Sequence, residues 1–173
     1  MSNIKRLILG NGSILTAFLC LFSISVSAGN IISNGNFESG LEGWYVRNTE
    51  KPELFFDLLE DNSVTCLLCK SADIDKDATI RKVSLRLNVG KKYKLSASVK
   101  TQDFNSNYVC AVISAGWQWA QELAVEAGTN DWKDYSVIFI PKLSKNGLYE
   151  FAIKAPGRGK FWIKNILLEE QKD

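Results

Sequence analysis

Between residues 54 and 168 short apolar runs alternate with clusters of Gly, Asn, Asp, Ser and Lys. The runs cover 54–59, 64–70, 79–87, 93–100, 108–114, 119–125, 132–140, 148–154 and 160–168. About nine strands of this length, evenly punctuated by turn residues, predict an all-β sandwich or barrel. Alternation is clearest at 93–100, where Tyr93, Leu95, Ala97 and Val99 share one face and Lys94, Ser96, Ser98 and Lys100 the other. That is an antiparallel strand with one side on a core and one in water. In 148–154, Tyr149, Phe151 and Ile153 point inward and Glu150 outward. The run 109–113 is apolar on both faces, so its second face is either a binding face or a surface covered by a loop. Residues 119–127 are good helix formers with Gly128 as a stop, but their place between strand runs favours a strand.

Upstream, Asn34-Gly35-Asn36-Phe37-Glu38-Ser39-Gly40-Leu41-Glu42-Gly43-Trp44 is too rich in turn formers to be a regular element. Phe37 and Trp44 read as two anchors tying this tight opening segment to the core. Residues 1–28 have the form of a secretory leader: Lys5 and Arg6, an apolar stretch from 14 to 26, and Val26-Ser27-Ala28 before Gly29. The apolar stretch is short and broken by serines, which disfavours a permanent membrane span. Cleavage would leave one domain, 29–173, secreted or periplasmic.

Charge narrows the partners. Removing Lys5 and Arg6 from the 21 basic residues leaves as many as the 19 acidic ones. A neutral domain with interspersed charges argues against nucleic acid or an anionic membrane surface as the main partner. The mature cysteines are Cys66, Cys69 and Cys110, enough for at most one disulfide. Cys66 and Cys69 have redox or metal spacing, but in a strand positions three apart face opposite ways, and no second pair completes a zinc site. Their role reads as structural, as buried thiols or as a disulfide in which Cys110 partners one of them. The chain has no histidine, which excludes His-based triads, bases and metal sites. The acidic clusters Glu60-Asp61 and 73–77 sit in turn-like stretches, so no carboxylate pair suggests a glycosidase. The domain is expected not to be an enzyme.

Asn30-Ile31-Ile32-Ser33-Asn34-Gly35-Asn36-Phe37-Glu38 followed by Gly43-Trp44 resembles the opening of carbohydrate-binding modules of families 4, 9 and 22. In matching order, Gly90-Lys91-Lys92-Tyr93-Lys94-Leu95-Ser96 resembles their Gly-x-x-Tyr-x-Leu-Ser strand. Trp132-Lys133-Asp134-Tyr135-Ser136 resembles their Trp-x-x-Tyr-Ser strand, and Phe161-Trp162-Ile163-Lys164-Asn165-Ile166 their closing strand. The resemblance implies a jelly-roll β-sandwich of the galactose-binding-like type. It also implies a polysaccharide ligand, framework positions in the core for Trp44, Trp132 and Trp162, and a structural calcium ion near Glu38 and the closing strand. The closing Asp-Asp of relatives is Lys164-Asn165 here, which leaves Glu38 and the Asn165 amide as the calcium candidates and puts the site in doubt. Relatives are usually joined to a glycosidase; no such module lies in this chain.

Sugar recognition needs aromatic faces flanked by amides and carboxylates. Trp117, Trp119 and Gln121 point one way if the segment is extended, with Gln118 and Glu122 opposite, while Tyr108 and Glu150 supply a further ring and a carboxylate. The competing reading makes these tryptophans core anchors. Two functions follow: an exported, non-catalytic polysaccharide-binding domain, or a structural and adhesive domain binding a protein at the cell surface.

Overall fold

Tyr93, Leu95, Ala97 and Val99 are buried while Lys94, Ser96, Ser98 and Lys100 stay partly exposed, the alternation their sequence dictates. In a computed structural model describing residues 29–47, 49–70, 78–144, 146–154 and 158–172, that strand is one of ten. They are β1 (Tyr45–Arg47), β2 (Phe56–Asp61), β3 (Val64–Lys70), β4 (Thr79–Arg86), β5 (Tyr93–Phe104), β6 (Tyr108–Ser114), β7 (Ala120–Ala124), β8 (Gly128–Phe139), β9 (Leu148–Lys154) and β10 (Lys160–Glu170). One 3-10 turn, Pro52–Leu54, precedes β2. The expected leader at 1–28 and the acidic run 73–77 lie outside the described residues.

The strands form two antiparallel five-stranded sheets, ordered β1-β4-β9-β6-β7 and β2-β3-β10-β5-β8. The fold class is therefore an all-β jelly-roll sandwich. Inner faces of both sheets meet in one core, with Ile80, Val112, Phe151 and Ile153 from the first sheet and Leu67, Leu95, Phe161 and Ile163 from the second. Each such side chain contributes about 1.5–3 kcal/mol by leaving water. β7 settles the choice between helix and strand at 119–127 in favour of strand.

The opening segment is bound to the last strand. The Ile31 N–H donates to the Leu168 carbonyl and the Ile166 N–H to the Gly35 carbonyl, both at 2.9 Å. The Asn30 side chain closes the same seam: its Nδ2 donates to the Ile166 carbonyl and its Oδ1 accepts from the Leu168 N–H, again at 2.9 Å. Within the segment, Asn34 accepts from the Ser39 N–H and donates to the Gly40 and Glu42 carbonyls, holding the turn together from inside. Trp44 donates its indole N–H to the Asn34 carbonyl at 3.0 Å and stacks on Phe37, ring centroids 5.3 Å apart. Both anchors are buried, as their spacing suggested.

Trp132 and Trp162 are not core residues. They lie half-buried on the outer face of the second sheet. Trp162 stands opposite Lys100 on β5 and Leu68 on β3, neither of which faces the core, so strand alternation turns its ring outward. Trp132 sits beside a register shift between β5 and β8, and its indole N–H donates to Asp61 Oδ2 at 2.7 Å. The disulfide is also absent: Cys66, Cys69 and Cys110 are all free and buried. Cys66 faces outward beneath Trp132 and Trp162, while Cys69 and Cys110 face the core from opposite sheets.

Gly35 tolerates no side chain, because a Cβ there would overlap the Ile166 carbonyl oxygen. Gly35→Ala is expected to lower the unfolding free energy by about 3 kcal/mol, read from urea midpoints. Gly29→Ala, where nothing lies within 4 Å, should leave the midpoint unchanged.

Candidate functional site

The outer face of β4, β9, β6 and β7 carries a cleft of about 340 Å³. Its floor is built by alternation from small apolar residues. Ala111 and Ile113 on β6 and Ala152 on β9 form a buried cluster separate from the core. Register places Arg81 beside Ala152, Ala152 beside Ala111, and Ala111 beside Glu122. A cation and a carboxylate thus flank a floor of two alanines, in a row that crosses four strands. Thr79, Lys154 and Tyr108 complete the lining toward one end and Trp117 at the other.

Trp117 reaches the cleft because of its turn. The β6–β7 connection closes with the Trp117 N–H on the Ser114 carbonyl and the Ser114 N–H on the Trp119 carbonyl, both at 2.9 Å. Gly116 takes φ +87° and Trp117 φ +61°. A left-handed conformation is natural for glycine but costs a bulky residue about 1–2 kcal/mol. The indole it presents is 60% exposed. An exposed aromatic held at an unfavourable backbone angle points to use rather than packing.

The same turn separates residues expected to act together. Trp119 points the other way, packing against the core with its ring 5.7 Å from Phe139 and 6.3 Å from Tyr149. Gln121 pairs with Val112, a core-facing residue, and its amide donates to the Glu122 carbonyl at 3.3 Å; it does not line the cleft. Trp117 instead joins Glu122, which the extended reading had placed opposite. Tyr108 lines the cleft. Glu150 faces the same side, opposite Ile113, but its carboxylate is engaged: Oε2 lies 3.0 Å from Arg81 Nη1.

Arg81 is the residue that sequence reasoning missed. It is 4% exposed, and a buried charge is tolerated only when paired. Its Nε donates to Thr79 Oγ1 at 2.9 Å, its Nη1 to Glu150, and the guanidinium carbon lies 4.7 Å from the Trp117 ring centroid. The available signal was its place in 79–82, one step from inward-facing Ile80 and therefore on the outer face.

Residues 29–160 match the carbohydrate binding domain family CBM_4_9. The chain belongs to this family. A comparison with curated protein sequences finds no match. Among solved structures, the CBM22-1 xylan-binding domain of Paenibacillus barcinonensis Xyn10C is similar at 9% identity and TM-score 0.59, over 85% of this chain and 97% of that one. TmCBM61, solved in complex with β-1,4-galactotriose, is similar at 14% identity and TM-score 0.55, over 83% and 100%. The enzymatically active domain of bacteriophage CBA120 tailspike protein 4 is similar at 12% identity and TM-score 0.55; this chain covers 21% of its length and 82% of its own. These likenesses concern the fold.

The second tryptophan cluster of this carbohydrate-binding domain is less open. Lys164 Nζ lies 4.0 Å from the Trp132 ring centroid and 3.4 Å from Asp61 Oδ2, while Lys160 and Lys100 lie 5.3 and 5.9 Å from the Trp162 centroid. Lysines already stand over both rings, and the adjoining cleft holds about 170 Å³.

The calcium candidates do not assemble a hard-cation site. Calcium takes six to eight oxygens, commonly including carboxylates. Asn165 borders a hollow lined by Asn30, Ser33, Asn34, Asn36 and neighbouring backbone, to which Glu38 does not contribute. Glu38 is exposed. The cation under the opening segment is instead Lys82, 6% exposed, with Nζ 3.3 Å from both Ser33 Oγ and the Glu42 carbonyl and 4.8 Å from the Trp44 ring centroid. Burial lowers the Lys82 pKa, with Glu42 opposing. The donor set therefore does not fit the ion.

Two outcomes follow. Thermal unfolding in EDTA and in excess calcium should give the same midpoint; a rise with calcium would show that the ion binds. Trp119→Ala should cost about 3 kcal/mol in denaturant unfolding, whereas Trp117→Ala should cost no more than about 1 kcal/mol, the scale of its contact with Arg81.

Proposed function

We propose that the domain binds a polysaccharide chain, without acting on it, in the cleft on the outer face of β4, β9, β6 and β7. The observation that carries this reading is Trp117: an exposed indole in a strained turn, at the end of a flat apolar floor bordered by charged and hydroxyl groups. A pyranose presents an apolar face of C–H groups and a rim of hydroxyls, and this lining has a counterpart for each. Tyr108, Glu122 and Lys154 stand where hydroxyls of the chain would reach them. The ligands named for the xylan-binding domain and the galactotriose complex support the class, a β-linked chain. Absence of catalysis is supported by the carboxylates of the described residues, among which Glu150 is committed to Arg81 and Glu122 alone lines the cleft. Glycoside hydrolysis generally needs an acid and a second carboxylate across one bond. Export, on the strength of the leader pattern at 1–28, would place the domain where such polysaccharides occur.

The test is affinity electrophoresis through gels containing soluble xylan, mixed-linkage β-glucan or galactan. At least one glycan should retard the native protein. Trp117→Ala should weaken that retention tenfold or more, about 1.4 kcal/mol, with little change in thermal midpoint. A folded protein that no glycan slows would overturn the reading.

A further inference from the structure

We propose that Arg81 is a positioning residue for the Trp117 platform, and that Glu150, by neutralising Arg81, makes the cleft select uncharged glycans over uronate-bearing ones. The proposal rests on the reading that the cleft takes a polysaccharide.

An indole on a hairpin turn, 60% exposed, has little around it to hold one orientation. Trp117 is an exception because its turn leans back over β9 toward β4, where a planar guanidinium lies 4.7 Å from the ring centroid. Stacking on arginine fixes the plane of the ring while leaving the indole widely exposed to solvent. Arg81 can serve as that support because it cannot move. Thr79 Oγ1 accepts from its Nε at 2.9 Å, Glu150 Oε2 accepts from Nη1 at 3.0 Å, and its side chain is nearly buried. It therefore acts through Trp117 rather than by reaching for the ligand.

The pairing also sets the charge of the site. A desolvated guanidinium without Glu150 would attract any carboxylate laid on the floor. With Glu150 in place the pair is neutral, and Glu122 and Lys154 at the rims are likewise of opposite sign. A uronate would add an uncompensated negative charge to a lining whose own charges already balance, and lose part of its ionic hydration there, a cost that a neutral pyranose does not meet. Glu150→Gln keeps the shape and an oxygen for Arg81 but removes the charge.

The experiment has two arms. In the first, 15N relaxation of the Trp117 indole N–H, assigned by its loss in Trp117→Phe, is measured without glycan. A ring as rigid as the backbone in the native protein, and mobile in Arg81→Met at unchanged global fold, is the expected result; a ring equally rigid in folded Arg81→Met overturns the positioning role. In the second, affinity electrophoresis compares a β-1,4-linked polyglucuronate with the neutral glycans. Native protein should ignore the polyglucuronate, and Glu150→Gln should gain at least tenfold retention on it, reversed by salt. No gain, or stronger retention of native protein by the polyglucuronate than by neutral glycans, overturns the selectivity. If Arg81→Met does not fold, Arg81→Lys, which keeps a cation for Glu150 but lacks the planar guanidinium, takes its place in the first arm with the same two outcomes. Should the first arm succeed while no glycan binds any variant, the platform stands and the polysaccharide reading falls.

Discussion

The architecture depends on one backbone contact, the approach of Gly35 to Ile166. It locks the opening segment onto β10, and much of the chain's geometry follows in sequence. The segment positions Trp44, which packs between Phe37 and Phe151. Trp44 leads directly into β1, whose three pairs with β4 run from Tyr45 opposite Arg81 to Arg47 opposite Thr79. The two residues of β4 that face the cleft are thus flanked on one side by this short strand and on the other by β9, which pairs Thr79 with Lys154 and Arg81 with Ala152.

Positive charge against aromatic faces recurs on every side of the sandwich, yet the contacts differ in what they leave available. Lys82 against Trp44 is buried under the opening segment, and the lysines around Trp132 and Trp162 stand over half-buried rings. Such contacts contribute about 0.5–1 kcal/mol when exposed and about 2 when desolvated. Among the described residues, only at Trp117 is the cation buried and the ring itself mostly exposed, so the contact orients an aromatic surface rather than covering it. That asymmetry, more than the number of tryptophans, separates the cleft from the second aromatic cluster.

Periodicity made most of the fold legible. The runs 64–70, 108–114 and 148–154 coincide with β3, β6 and β9 because turn residues bound them and their apolar positions alternate or fill both faces. The first strand escaped notice at three residues, and β5 and β8 extend past their apolar runs into polar segments, such as 101–103 and 128–131, joined by side-chain bonds such as Asn130 Nδ2 to Thr101 Oγ1 that no apolar pattern announces. The site was harder to read. Extending strand alternation through Gly116-Trp117 put Trp117 with Trp119 and Gln121, but two successive residues at positive φ reverse the chain there and exchange the faces. Arg81 was invisible for another reason: nothing local marks a charged residue as buried, and its partners Glu150 and Trp117 are brought to it by sheet order.

The three thiols of the described residues, Cys66, Cys69 and Cys110, differ in depth, and the difference has a kinetic meaning. Burial raises the pKa of all three, with Asp61 adding to the effect at Cys66, and Cys69 and Cys110 are shifted furthest. Only a thiolate attacks an alkylating reagent, so each cysteine is silent until its surroundings open. Cys66 waits on the outer face for Trp132 and Trp162 to lift, a local event, while Cys69 and Cys110 wait for the two sheets to part. One reagent acting on one chain would therefore run two clocks, a faster one for breathing of an outer face and a slower one for the life of the sandwich itself.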